Sequence, residues 1–161
     1  MIELLIVLVI LSTVLSALTA LFLAGAKAEL ETNRRFEAQQ QARLAADRMR
    51  REVHCASGVT VGSASSITVH LLGHCPTAVN AQPTDVLYQV EPVAAGRYRL
   101  RRAGVPLADY LTSDQLFSYT PESPNGRALL GLDLSVNTNP NEGWKTWRLQ
   151  TDIVLRNTLR E

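Results

Sequence analysis

The sequence predicts an α+β chain, a long N-terminal helix followed by an antiparallel β-sheet, on three observations. Met1 to Ala24 is an apolar run with a single ionisable side chain, Glu3, and no Pro or Gly. Residues 26–56 are rich in Ala, Glu, Gln, Arg and Leu, all strong helix formers. Beyond Gly58 the texture changes to short alternating runs separated by turn-rich stretches.

The first run is long enough to matter on its own. Roughly 20 apolar residues cross a bilayer core of about 30 Å as a helix. Residues 1–25 are therefore expected to form the membrane half of the helix, and residues 26–56 its amphipathic half. The alternative is a cleaved signal peptide, because Ala24-Gly25-Ala26 resembles a cleavage site. Such a peptide needs a basic segment before a shorter apolar one, and nothing basic precedes this run.

In the second half, opposite charges four residues apart at Glu31/Arg35, Arg43/Asp47, Asp47/Arg51 and Arg48/Glu52 mark a solvated helical face. Leu30, Ala38, Ala42, Ala45, Met49 and Val53 trace a small-residue stripe at helical spacing. The helix is expected to run from Ile2 to about His54 and to stop at Ser57-Gly58. Residues 57–161 then make one β domain. Ile67, Val69 and Leu71 alternate with Ser66, Thr68 and His70, and Val86, Tyr88 and Val90 repeat the pattern. Tyr98 and Leu100 lie between Arg97, Arg99 and Arg101. Leu130, Leu132, Leu134 and Val136 form a longer set, and Trp147, Leu149, Ile153 and Leu155 the last. Short strands with short connections favour an antiparallel sheet with one buried face, which the helical stripe would cover.

Net charge is +1, which excludes a global field for nucleic acid or anionic lipid. No nucleophile motif or phosphate loop accompanies the acidic side chains, Asp109 and Asp114 included, so no enzyme and no cofactor is expected.

Glu3 is the odd residue of the apolar run. A carboxylate deep in lipid costs a few kcal/mol and usually has a partner or a task. At a helix start the positive end of the dipole lessens that cost, so an interfacial acid is the bland alternative. The opening Ile2-Glu3-Leu4-Leu5-Ile6-Val7-Leu8-Val9-Ile10-Leu11 resembles the N-terminus of type IV pilins and type II secretion pseudopilins. Ala45-Ala46-Asp47-Arg48-Met49-Arg50-Arg51-Glu52-Val53 resembles the helix end of minor, J-type pseudopilins and related minor pilins. The resemblance implies a pilin-like fold and a structural filament subunit, a minor one, with no catalytic role.

It also implies a set of partners: other pilin or pseudopilin subunits, an inner-membrane assembly platform, and membrane lipid before assembly. Glu3 would pair with the N-terminal amine of a neighbouring subunit, and a buried carboxylate against a buried ammonium fixes register between helices. Aligned on Glu3, the family's mature N-terminus falls two residues upstream of Met1. A basic leader ending in Gly, cut and followed by N-methylation, is thus expected in the DNA preceding this start. Lys27, Arg34 and Arg35 follow the apolar run, and the positive-inside rule alone would keep the β domain in the cytoplasm. The family arrangement is the opposite: N-terminus inside, β domain outside the inner membrane, then a periplasmic or extracellular filament. A single-pass membrane protein with an independent extracytoplasmic binding domain is the alternative function.

Three further groups of residues are candidates. Cys55 and Cys75 are compatible with one disulfide tying helix to sheet, with free thiols, or with zinc held together with His54, His70 and His74. Arg97, Arg99, Arg101 and Arg102 make a basic cluster around Tyr98, either structural charge guarding a sheet or a contact for DNA phosphates, as in a competence pilin. Asn137 to Gly143 offers oxygen ligands, but with one carboxylate and no EF-hand spacing it reads as a turn rather than a calcium loop.

Overall fold

The computed structural model describes residues 2–75, 77, 82–124, 126–139 and 145–156. Helix α1 spans Ile2–Cys55, and the chain divides into two compact units, Met1–Phe36 and Glu37–Glu161.

The first unit is helical, and its large apolar side chains are exposed from Ile2 to Leu23. The helix is long and apolar enough to cross a membrane. Three of its hydroxyls are compatible with lipid because they close on the helix backbone. Ser12 donates to the Val9 carbonyl at 2.8 Å and Thr13 to Ile10 at 2.8 Å. Thr19 donates to Leu15 at 2.7 Å. No outside partner is needed to satisfy these groups.

The second unit packs the rest of α1 on an antiparallel sheet, an α+β arrangement. The strands are β1 (Ala56–Ser63), β2 (Ser66–Leu71), β3 (Thr84–Ala94), β4 (Arg97–Arg102), β5 (Val105–Leu111), β6 (Phe117–Thr120), β7 (Leu129–Val136) and β8 (Trp147–Val154). Their order is β1-β2-β3-β4-β5-β7-β6, with β8 also paired to β7. Strands β1 to β5 form a meander. Strand β5 pairs with β7 at Leu111↔Val136, flanked by the bonds Thr112 N–H to Ser135 O and Asn137 N–H to Tyr110 O. The sheet then continues through the β6-β7-β8 group.

The core is the helical stripe against one sheet face. Ala38, Ala42, Ala45, Ala46, Met49 and Val53 are buried against Ile67, Val69, Leu71, Val86, Tyr88, Leu100, Leu130, Leu132 and Leu134. Four alanines bring the helix backbone close to the sheet. Larger side chains there would force strain of about 1–3 kcal/mol each. Arg43 caps this contact by stacking over Trp147, 5.4 Å from the ring centre.

Several expectations are corrected. Leu30 lies in the first unit and is exposed rather than part of the buried stripe. Ser57-Gly58 is not a terminator, because the helix ends at Cys55 and both residues belong to β1. Strands β1, β5 and β6 lack a strong alternating signature: β1 is built from small residues and Gly, β5 contains Pro106, and β6 has 4 residues. Glu52 does lie 3.3 Å from Arg48, as expected for an i,i+4 pair, yet it is buried rather than on a solvated face.

Candidate functional site

Glu3 lies in the first turn of α1, within an exposed apolar surface of the first unit. It is the one ionisable side chain in the first 24 residues, so it is where that surface can make a directional, charge-based contact.

The second unit has a fixed junction between helix and sheet. Cys55 and Cys75 are joined by a disulfide with Cα atoms 5.7 Å apart, bridging 20 positions from the helix end to the loop after β2. The bond takes both thiols, so the zinc set of His54, His70 and His74 with these cysteines does not form. Among the described residues no group of three or more His, Cys, Asp or Glu side chains is placed to hold a metal. His70 is engaged elsewhere, between Thr60 and Asp85.

One turn before the disulfide, Glu52 is 1% exposed and faces the sheet. Tyr88 donates its hydroxyl to Glu52 Oε2 at 2.7 Å. The Arg102 guanidinium donates from Nε to Oε1 at 3.0 Å and to Oε2 at 3.1 Å. Its Nη2 lies 2.9 Å from Oε1. Burial pushes the Glu52 carboxyl up, but the hydrogen bonds from Arg102 and Tyr88 outweigh it and hold the group below the usual carboxylate range. Burial likewise pushes the Tyr88 hydroxyl well up, and the Glu52 carboxylate adds to that. A buried charge met by Tyr88, Arg102 and, from its own helix, Arg48 is a satisfied network, and through the first two it joins α1 to β3 and β4.

The basic cluster divides between two faces of β4. Arg102 is on the core side with Leu100 and is 16% exposed in its pair with Glu52. Arg97 and Arg99 converge on one carboxylate, Asp109 on β5, at 2.8 and 2.7 Å. Burial raises the Asp109 pKa, but the hydrogen bonds from Arg97, Arg99 and the Tyr110 N–H prevail and bring it to about 2. Arg97 also stacks over the Tyr110 ring at 3.9 Å, and Tyr110 adopts a positive φ of 62°. Arg101 reaches Glu91 at 3.0 Å. The four guanidiniums therefore meet three carboxylates, Glu52, Asp109 and Glu91, and little positive charge remains for phosphates.

In the candidate calcium loop, Asn137 and Asn139 close an Asx turn, with the Asn139 N–H on Asn137 Oδ1 at 2.9 Å. Residues 140–143 of that loop lie outside the described residues. Sequence reasoning missed Tyr88 and Glu52 as a pair. The available signal was Glu52 itself, which lies one position before Val53 and three after Met49, on the edge of the apolar stripe. Comparison with family models, with curated proteins and with solved structures finds no match for this chain.

Proposed function

We propose that the chain is a structural subunit of a filament of the type IV pilus or type II secretion pseudopilus kind, a minor subunit rather than the bulk one. The observation that carries this reading is the first unit. It is a helix whose apolar side chains are exposed from Ile2 to Leu23, with one acid, Glu3, in its first turn. Such a surface is stable in lipid or against other apolar helices, and not in water. Glu3 supplies the register: its carboxylate meets the N-terminal amine of a neighbour, and each charge removes the other's desolvation cost. The second unit supports the reading because its disulfide and its buried Glu52–Arg102 pair fasten the helix end to the sheet, so pull on the helix is borne by the sheet.

On this reading the subunit waits in the inner membrane with its β domain outside, meets the assembly platform and other subunits there, and leaves the bilayer on assembly. The test is fractionation of the producing cells, with the chain sought by immunoblot in sheared filaments and in membranes. The chain is expected in both, and Glu3→Ala in membranes alone at undiminished level. Native chain confined to membranes in filament-forming cells would favour a single-pass membrane protein with a free-standing binding domain. Normal filament incorporation of Glu3→Ala would refute the register role.

A further inference from the structure

We propose that Thr60, His70 and Asp85 form a nucleophile relay that makes Thr60 an acceptor of acyl groups from activated esters and thioesters. The three side chains come from three neighbouring strands, on the sheet face opposite the helix. His70 is directly across from Asp85 in the β2–β3 pairing. In the β1–β2 pairing Gly58 faces His70 and Thr60 faces Thr68, which puts Thr60 diagonal to the imidazole. Asp85 Oδ1 is 2.7 Å from His70 Nδ1, and Thr60 Oγ1 is 2.7 Å from His70 Nε2.

The order of groups sets the chemistry. In the tautomer this order requires, His70 Nδ1–H donates its hydrogen bond to Asp85 Oδ1, which leaves the lone pair on Nε2 to accept the hydrogen bond from the Thr60 hydroxyl. A hydroxyl is a weak nucleophile until a base takes its proton, and an oriented imidazole is the side chain suited to do so. Access is open on the same face. Thr60 is exposed, and Gly58 leaves the side of the ring uncovered: a Cβ built there would meet only His70 Cδ2, at 4.0 Å. Leu87, across from Thr68 on β3 and 43% exposed, offers an apolar neighbour for an acyl chain.

In the step itself, Thr60 Oγ1 forms a bond to the carbonyl carbon while its proton passes to His70 Nε2. The bond from that carbon to the leaving oxygen or sulfur breaks, and the leaving group departs with the electron pair and takes the proton from His70. The products are a Thr60 ester and a free alcohol or thiol, with no change of oxidation state.

The experiment treats the full chain, in mild detergent, with p-nitrophenyl acetate and follows acetylation of each peptide by mass spectrometry. Thr68 is the internal reference, because it lies across from Thr60 on the same face, and Lys27 reports reagent exposure. General-base assistance typically contributes 10²–10⁴-fold, so Thr60 should be acetylated at least about tenfold faster than Thr68. His70→Gln and Asp85→Asn should each slow Thr60 by about tenfold or more and leave Lys27 unchanged. A ladder of hydrogen bonds that only stabilises the sheet would leave Thr60 no more reactive than Thr68 in the native chain. That result overturns the proposal without any variant, and so does a Thr60 rate unchanged in His70→Gln or in Asp85→Asn.

Discussion

The Tyr88 hydroxyl on β3 donates to the Glu52 carboxylate on α1 across 2.7 Å, and both side chains are fully buried. Arg102 completes the group from β4. Truncating Glu52 to Ala would strand the Arg102 guanidinium in a nearly closed site, a loss of about 3–5 kcal/mol for one partner of a buried pair. Tyr88→Phe removes a hydrogen bond to a charged group and should cost about 1.5–3 kcal/mol. Urea unfolding of the full chain in detergent, followed by tryptophan fluorescence, measures both. Adding Arg102→Met to Glu52→Ala should recover part of the loss, since no buried charge is then left unpaired: Arg48, the other partner of Glu52, is 41% exposed and reaches water. A Glu52→Ala variant as stable as the native chain would show that the network contributes nothing.

The disulfide acts on a different state of the chain. It closes a loop with a sequence separation of 20 between Cys55 and Cys75, restricting the unfolded ensemble. A loop of this size is worth about 3 kcal/mol. Reduction, or Cys55→Ser with Cys75→Ser, should lower the urea midpoint with little change in the helical circular dichroism of the folded state. An unchanged midpoint after reduction, with both thiols shown free by alkylation, would remove this contribution.

Acid should act through Asp109. Its folded pKa of about 2 lies below the ordinary 3.8, so folding favours the ionised form. The stability it contributes is complete above the unfolded value and is lost as pH falls from about 4 towards 2. Glu52, also held below its ordinary 4.5, adds a loss of the same sign. Asp109→Asn should therefore flatten the pH dependence of thermal unfolding between about 4 and 2, leaving the parts due to Glu52 and to Asp133, which Arg148 holds below its ordinary value. An identical acid profile in native chain and variant would show that Asp109 is not held ionised by its arginines.

The broad architecture is legible in the sequence because two periodicities carry it. The helical stripe from Ala38 to Val53 and the alternation at Ile67, Val69 and Leu71 or at Leu130, Leu132 and Leu134 each identify a buried face without reference to any partner. What stayed hidden depends on pairing across the chain. Glu52 reads as a helical surface charge until β3 and β4 bring Tyr88 and Arg102 to it, 36 and 50 residues away. Arg97 and Arg99 read as a free basic stripe until a hairpin turns Asp109 back onto them. Thr60, His70 and Asp85 become neighbours only through the registers of two strand pairs. Alternation reports which face a residue is on, and never which residue stands across from it.

The β4–β5 link is a two-residue turn, and it carries a residue poorly suited to it. Ala103 and Gly104 connect Arg102 to Val105 with φ of 46° and 80°. Positive φ at both central positions is the two-residue hairpin turn that matches strand twist, and it favours Asn-Gly. Alanine in the left-handed region loses roughly 1–2 kcal/mol against its Cβ. Ala103→Asn restores the preferred pair and keeps the N–H that donates to the Leu87 carbonyl at 2.8 Å, so it should stabilise the chain by about 0.5–1 kcal/mol. Gly104→Ala should destabilise it by about 1–2 kcal/mol. The second variant isolates the backbone, because a Cβ at Gly104 would meet nothing within 4 Å. Urea midpoints of the two variants should therefore move in opposite directions. Equal midpoints would mean that the turn does not hold its left-handed conformation in solution.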